Sequence, residues 1–307
     1  MKIKIKAWLN LLRVPNYCTV PGDAVFGYLI MNGKTDSPGL IYVILSVLCC
    51  YSFGLITNDI ADIETDTRER PNRPLPSGLI SADAAKFAAC ISAVAGLAFA
   101  FLCGRQTFTI ALALMLVILG YNYIFKHVQL LGPAALAMCR MLSLIMGLFA
   151  AHSLVLDSYV LYPAVMFLLI YVFGLSVSAQ VETQEGRRKT VLAGGWIMLL
   201  ASLLWIVAGY YLSSNVDEIS VMQEITPSMF FAICLSAILS ISTLKNLIGL
   251  YLDHGTSRVP PFIGESIRNL ILFQASACAF AGFMNAAFYI ALLYIPAWIL
   301  SRRHYQS

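Results

Sequence analysis

Nine stretches of this chain are apolar for close to twenty residues each, and that alone removes most architectures. They run over 15–31, 39–57, 84–103, 107–125, 131–151, 159–179, 191–212, 229–251 and 270–298. A lipid core about 30 Å thick is crossed by roughly 20 helical residues. Inside it every backbone N–H and C=O must be satisfied by the protein, which leaves helices or closed barrels. Continuous apolar runs without the two-residue alternation of a barrel strand predict helices. Composition agrees: 59% of the 307 residues are hydrophobic and 12% charged, against about 25% charged in an ordinary soluble domain. The expectation is an all-α membrane protein, a single transmembrane domain over 1–307, with nine transmembrane helices. Residues 1–14, opening with Lys2, Lys4 and Lys6, predict an amphipathic interfacial segment rather than a cleaved leader, since no small-residue cleavage site precedes the first run.

Lysine and arginine in the short loops set the orientation. With the N-terminus inside, the inner segments hold Lys2, Lys4, Lys6, Arg13, Arg68, Arg70, Arg73, Lys126, Arg187, Arg188, Lys189, Arg258 and Arg268. The outer side holds Lys34, Arg105 and the tail pair Arg302 and Arg303, which is the one dissent. A net charge of +4 scattered in this way forms no basic face for nucleic acid. The eight cysteines lie almost all inside apolar runs and form no C-x-x-C pair, so they read as small buried hydrophobes.

The chemistry gathers in the inner loops. Residues 58–78 read N-D-I-A-D-I-E-T-D-T-R-E-R-P-N-R-P-L-P-S-G and hold five of the sixteen acids of the chain. If the second apolar helix continues, Asp59, Asp62 and Asp66 fall at i, i+3 and i+7 on one face. Three carboxylates there repel one another unless a counter-charge is present, and a hard divalent cation with oxygen ligands, Mg²⁺, supplies one while keeping positions open for phosphate. Arg68, Arg70 and Arg73 follow at once, and guanidinium forks suit phosphate. A second loop, S-A-Q-V-E-T-Q-E-G-R-R-K-T, places Glu182 and Glu185 at i, i+3 with Arg187, Arg188 and Lys189 behind them. Two acidic clusters over one cavity could each hold a Mg²⁺ and clamp a diphosphate. Tyr121, Tyr123 and Lys126 end the fourth run at the same inner surface, and Arg140 lies inside the fifth, where an arginine is costly and marks a function or a partner.

The order N-D-x-x-D-x-x-x-D, then R-x-R-P-x-R-P-L-P-S-G, between the second and third of nine helices, resembles the UbiA superfamily of intramembrane prenyltransferases. The resemblance implies nine helices around a central cavity open to lipid, and Mg²⁺-dependent transfer of a prenyl group from an isoprenyl diphosphate to a lipophilic or aromatic acceptor. It implies Asp59, Asp62 and Asp66 as the first metal cluster, and Asn58, Arg68 and Arg73 as diphosphate contacts. Tyr121 and Lys126 resemble the tyrosine and the basic residue that follow the fourth helix of the family. Arg140 and Arg187 are added to the diphosphate set. The second motif departs from the aspartates of the family, with Glu182 and Glu185 as its metal ligands, and the longer arm shifts the metal. Asp59, Asp62, Glu182 and Tyr121 are the implied catalytic residues. The segment K-H-x-x-x-L-G-P-A-A-L-A-M-C-R-M-L-S-L looks more like the EboC-like branch than the ubiquinone or menaquinone enzymes. The expected setting is a bacterial cytoplasmic membrane with the site facing the cytoplasm. A terpene cyclase on the same scaffold and a non-catalytic transporter or scaffold are the alternatives. Acids at the inner surface rather than at the midplane weigh against a transporter.

Overall fold

The computed structural model describes residues 2–32, 37–151, 160–180, 188–214, 226–252 and 258–304, and all regular structure among these residues is helical. Helix α1 (Lys2–Leu11) buries Ala7 and Leu11 and exposes Lys4, Ile5 and Lys6. A 3₁₀ turn, Val14–Thr19, leads into α2 (Pro21–Asn32). Helix α3 (Pro38–Ala61) starts where Ser37 caps the Gly39 N–H and Pro38 occupies the first turn, a position that needs no N–H. The short α4 (Ile63–Glu69) follows, then α5 (Ala82–Leu102), whose first turn is capped by Ser81 on the Ala84 N–H. Next come α6 (Arg105–Tyr123), a 3₁₀ turn at Phe125–His127, α7 (Leu131–Ala150), α8 (Leu161–Ala179), α9 (Arg188–Ser214) and α10 (Pro227–Leu252). Helices α11 (Val259–Phe280), α12 (Met284–Leu292) and α13 (Tyr294–His304) complete the described chain.

Among the described residues, eight helical segments are long and apolar enough to cross a membrane: α3, α5, α6, α7, α8, α9, α10 and Met284–Arg302. The all-α, multi-span class therefore stands, while the last apolar run is corrected. Residues 270–298 are not one span. Helix α11 ends at Phe280, and Gly282, at φ 87°, takes the left-handed turn that reverses the chain. Helix α11 lies inside the protein, where polar side chains need not face lipid: every residue from Arg268 to Phe280 is buried. Helix α13 then packs on the Val14–Thr19 turn and on α11. That turns the tail back toward the side of the acidic motif, so the placement of Arg302 on the opposite side is corrected.

Two apolar cores meet along α2 and α7. One holds Val43, Phe53, Ile56 and Ile118 with Tyr28 and Met146; the other holds Phe167, Trp205 and Phe273 with Phe26 and Leu144. Glycines let α2 and α7 touch: a Cβ on Gly147 would sit 2.1 Å from the Ala24 carbonyl, and one on Gly27 would sit 2.2 Å from that of Leu144. In the second core Phe167 stacks on Phe273 at 4.0 Å, and Trp205 Nε1 donates to Ser276 Oγ at 2.9 Å.

Candidate active site

At the end of α3 the helix nearly continues through the acidic motif. The Asp62 N–H reaches the Asn58 carbonyl at 3.0 Å, and the Asp66 N–H reaches the Asp62 carbonyl at 2.8 Å, so α4 keeps the register. Asp59 and Asp66 are buried and Asp62 is half-buried, whereas Glu64, Arg68 and Glu69 are exposed.

Each of the three aspartates meets a different cation, drawn from a different part of the chain. Arg13 Nη2 donates to Asp59 Oδ1 at 3.3 Å. Lys126 Nζ donates to Asp62 Oδ1. Arg73 Nη1 donates to Asp66 Oδ2 at 2.6 Å. Asn58, Arg73 and Asp66 all act on the charge of Asp59. The counter-charge expected from a metal is thus supplied here by protein cations, which offset the three carboxylates one for one. Among the described residues no group of three His, Cys, Asp or Glu side chains converges as a ready-made cage.

Aromatic and polar side chains continue the site into the bundle. Half-buried Tyr121 lies within electrostatic reach of Arg13 and Asp62. Tyr51 is reached by Arg13, Arg140 and the Asn16 side chain, and Tyr17 packs edge-on against it at 5.3 Å between ring centres. Tyr17 in turn shares a 2.6 Å hydrogen bond with Ser52. Asn122, buried, donates to Thr57 Oγ1 at 2.8 Å and to the Gly54 carbonyl at 3.2 Å, pinning α6 to the turn of α3 just before the motif.

Arg140 is committed to partners. Its Nε stands 2.9 Å from Asp23 Oδ2, an ion pair whose N–H is not aligned for a hydrogen bond, and its Nη2 donates to the Thr19 carbonyl at 2.6 Å. Gln274 Nε2 bridges the same Thr19 carbonyl at 2.7 Å and Asp23 Oδ1 at 2.8 Å. This network joins α2, α7 and α11 inside the bundle.

Other expected residues fall elsewhere. Arg68 lines a shallow surface pocket of about 170 Å³ with Glu64, Thr65 and Glu69, on the far face of α4 from Asp59 and Asp66. Tyr123 is exposed. Glu182, Glu185 and Arg187 lie outside the described residues. Sequence reasoning counted Arg13 only as an inner charge and passed over Asp23. An acid within one apolar run and an arginine within another were the signal for the Asp23–Arg140 pair; nothing local announces Arg13 as the partner of Asp59.

Residues 23–216 match the UbiA prenyltransferase family. A digeranylgeranylglyceryl phosphate synthase of Sulfolobus acidocaldarius is 29% identical over 210 residues, 67% of this chain and 74% of that protein. One from Methanococcus aeolicus is 35% identical over 141 residues, 45% of this chain and 50% of its own length. The chain thus spans about three quarters of the first relative and half of the second. Among solved structures, a UbiA homolog from Aeropyrum pernix superposes with a TM-score of 0.62 at 18% identity, covering 86% of this chain and 97% of its own. A homolog from Archaeoglobus fulgidus bound to DMAPP and Mg²⁺ gives 0.58 at 16% identity, covering 92% of this chain and 98% of its own.

Proposed function

Because this chain belongs to the UbiA prenyltransferase family, we propose that it is a multi-pass membrane enzyme moving a prenyl group from an isoprenyl diphosphate to a lipophilic acceptor. One observation carries this: Asp59, Asp62 and Asp66 stand together at a helix end, each held by a separate cation, Arg13, Lys126 and Arg73. Three acids and three bases leave the cluster with no net charge. It can therefore accept a metal–diphosphate without building up charge in a low-dielectric setting, where unpaired charge is most costly.

The donor set suits Mg²⁺, since it is made of hard carboxylate oxygens. Asp59, Asp62 and Asp66 would hold the ion, which when bound neutralises the diphosphate and favours its departure. Arg13, Arg73 and Lys126, released from their aspartates, turn to the phosphate oxygens, where preorganised donors are worth about 3–4 kcal/mol each in the transition state. Breaking the allylic C–O bond leaves pyrophosphate and an allylic cation, and the acceptor closes the new bond with loss of a proton. The faces of Tyr51 and Tyr121 stabilise such a cation by about 0.5–2 kcal/mol each. Arg140, tied to Asp23, lies within reach of Tyr51 and shapes that wall rather than moving freely to the anion. Glu182, Glu185 and Arg187 are assigned to a second metal and diphosphate position by their order in the sequence.

The basic residues of the short loops support a cytoplasmic setting for the motif face of this membrane protein, and the Lys4–Ile5–Lys6 face of α1 suits the lipid interface. The relatives make a glyceryl phosphate lipid, which names the first acceptor class to try. The test is to incubate purified protein with Mg²⁺, geranylgeranyl diphosphate and a glyceryl phosphate lipid, or an aromatic quinone precursor, and to weigh the products. A mass increase of one prenyl group on either acceptor supports the reading. A cyclised hydrocarbon made without acceptor, or no conversion of the diphosphate, goes against it.

A further inference from the structure

Gln274 is a buried amide that the reaction above does not use. It lies on α11, only 1% exposed. Its Nε2 donates to Asp23 Oδ1 at 2.8 Å and to the Thr19 carbonyl, 255 positions away in the chain, at 2.7 Å. Arg140 Nη2, from α7, donates to that same carbonyl at 2.6 Å. One main-chain oxygen therefore receives two side-chain donors from two helices, which engages both of its lone pairs. Gly22 leaves the room for this approach, because a Cβ there would sit 2.1 Å from Gln274 Oε1.

Holding the helices together does not require this cluster. Helices α2 and α7 already touch through Gly27 and Gly147, and α11 is buried from Arg268 to Phe280. Within the protein, Asp23 Oδ2, Arg140 Nε and Gln274 Oε1 lack a hydrogen-bond partner. Buried polar atoms left in that way are costly. Both donors are directed at the turn in spite of that cost.

The carbonyl they hold closes the 3₁₀ turn Val14–Thr19, which leads back to the active site. Thr19 Oγ1 donates to the Asn16 carbonyl at 2.8 Å, and the Asn16 N–H donates to the Arg13 carbonyl at 2.9 Å. Pro15 fixes its own φ between them. Two hydrogen bonds thus link Thr19 to Arg13 along a turn about 12 Å long. Midway, Tyr17 is tied to Ser52 of α3 at 2.6 Å and packs edge-on against Tyr51. At the far end Arg13 meets Asp59 at 3.3 Å.

We propose that Gln274, together with Arg140, is a positioning residue for the active site: by gripping the Thr19 carbonyl it sets the turn from which Arg13 meets Asp59. The inference rests on the prenyltransferase reading for the activity that Arg13 serves, and on the hydrogen bonds alone for the linkage. A shift of about 1 Å in such a group costs about 10²-fold in rate, so a loosened turn is felt in turnover.

The test places Gln274→Met, which keeps the length of the side chain and removes its amide, in wild type and in Arg13→Gly, each as full-length protein in nanodiscs. Pyrophosphate release from geranylgeranyl diphosphate is read per folded molecule. In wild type, Gln274→Met should slow release about 10- to 10²-fold. In Arg13→Gly it should slow release no further, because the group it positions is gone. Thr19→Val keeps the shape of the side chain and removes the bond to Asn16. It should show the same dependence on Arg13, and it decides the matter if Gln274→Met does not fold. Amide hydrogen exchange over residues 14–20 is read on the same samples and should quicken in both variants. No slowing in wild type, equal slowing in the two backgrounds, or unchanged exchange of the turn overturns the proposal and leaves Gln274 to packing alone. Absence of release from the unsubstituted protein defeats the prenyltransferase reading instead, and the exchange result then decides the linkage by itself.

Discussion

Arg13 reaches Asp59 across 3.3 Å from a backbone at φ 46°, the one non-glycine residue at positive φ among those described. A left-handed conformation costs an L-residue about 1–2 kcal/mol, and such residues persist where the surroundings hold them for a purpose. Here the twist presents the guanidinium of a residue 46 positions away to the first aspartate of the motif.

Arg13→Gly separates the two consequences of that geometry. Glycine adopts φ 46° freely, so any stability lost on thermal unfolding in detergent belongs to the side chain, which leaves the buried Asp59 without its cation. Diphosphate turnover should fall about 10²-fold or more, as when a preorganised donor is removed. Loss of fold with turnover per folded molecule unchanged would assign Arg13 to structure alone.

Lys126 and Asp62 form one pair with different expected tasks. Asp62→Asn should raise the Mg²⁺ concentration needed for half-maximal rate, and Lys126→Gln should raise KM for the diphosphate. Steady-state kinetics over both concentrations reads the split. Identical effects of the two substitutions on both constants would point to a purely structural ion pair.

Asp23 has no exposed side-chain surface and carries Arg140 at 2.9 Å and Gln274 at 2.8 Å. Removing one member of a buried pair leaves an uncompensated charge, so Asp23→Ala should destabilise the bundle by about 3–5 kcal/mol. The double substitution Asp23→Leu with Arg140→Met should cost less than Asp23→Ala alone. Unfolding followed by intrinsic tryptophan fluorescence gives the comparison.

The α2–α7 contact allows no side chain at Gly147, where a Cβ would lie 2.1 Å from the Ala24 carbonyl. Gly147→Ala should cost about 1–3 kcal/mol through overpacking. Gly249, with no atom within 4 Å of the same added carbon, should accept alanine with little change or a small gain.

Most of the fold was legible because lipid-facing helices must be apolar along their length, and α3 and α5 to α10 follow the apolar runs within a few residues. The reading failed at 270–298 for the same reason. A span hidden inside the bundle is exempt from lipid, so α11 can carry Glu265, Arg268, Asn269 and Gln274, and the hydropathy signal starts late and runs on across the turn at Gly282. At the site, the period of Asp59, Asp62 and Asp66 announced one helical face. Lys126 was legible from its place at the end of the fourth run. Arg13 was not, because its partner lies 46 residues away and only tertiary packing joins them. Arg68 looked equivalent to Arg73 in sequence, yet the chain leaves the helix after Glu69, which puts Arg73 on Asp66 and leaves Arg68 facing outward.

The most direct test of the account is Mg²⁺-dependent pyrophosphate release from geranylgeranyl diphosphate by the purified protein, compared between wild type and Asp59→Asn in the same nanodiscs. Wild type should release pyrophosphate only with Mg²⁺ present, and Asp59→Asn should be slower by about 10²-fold or more while remaining folded. Release that ignores Mg²⁺, or that proceeds equally in both proteins, would contradict the assignment of the aspartate turn to the diphosphate.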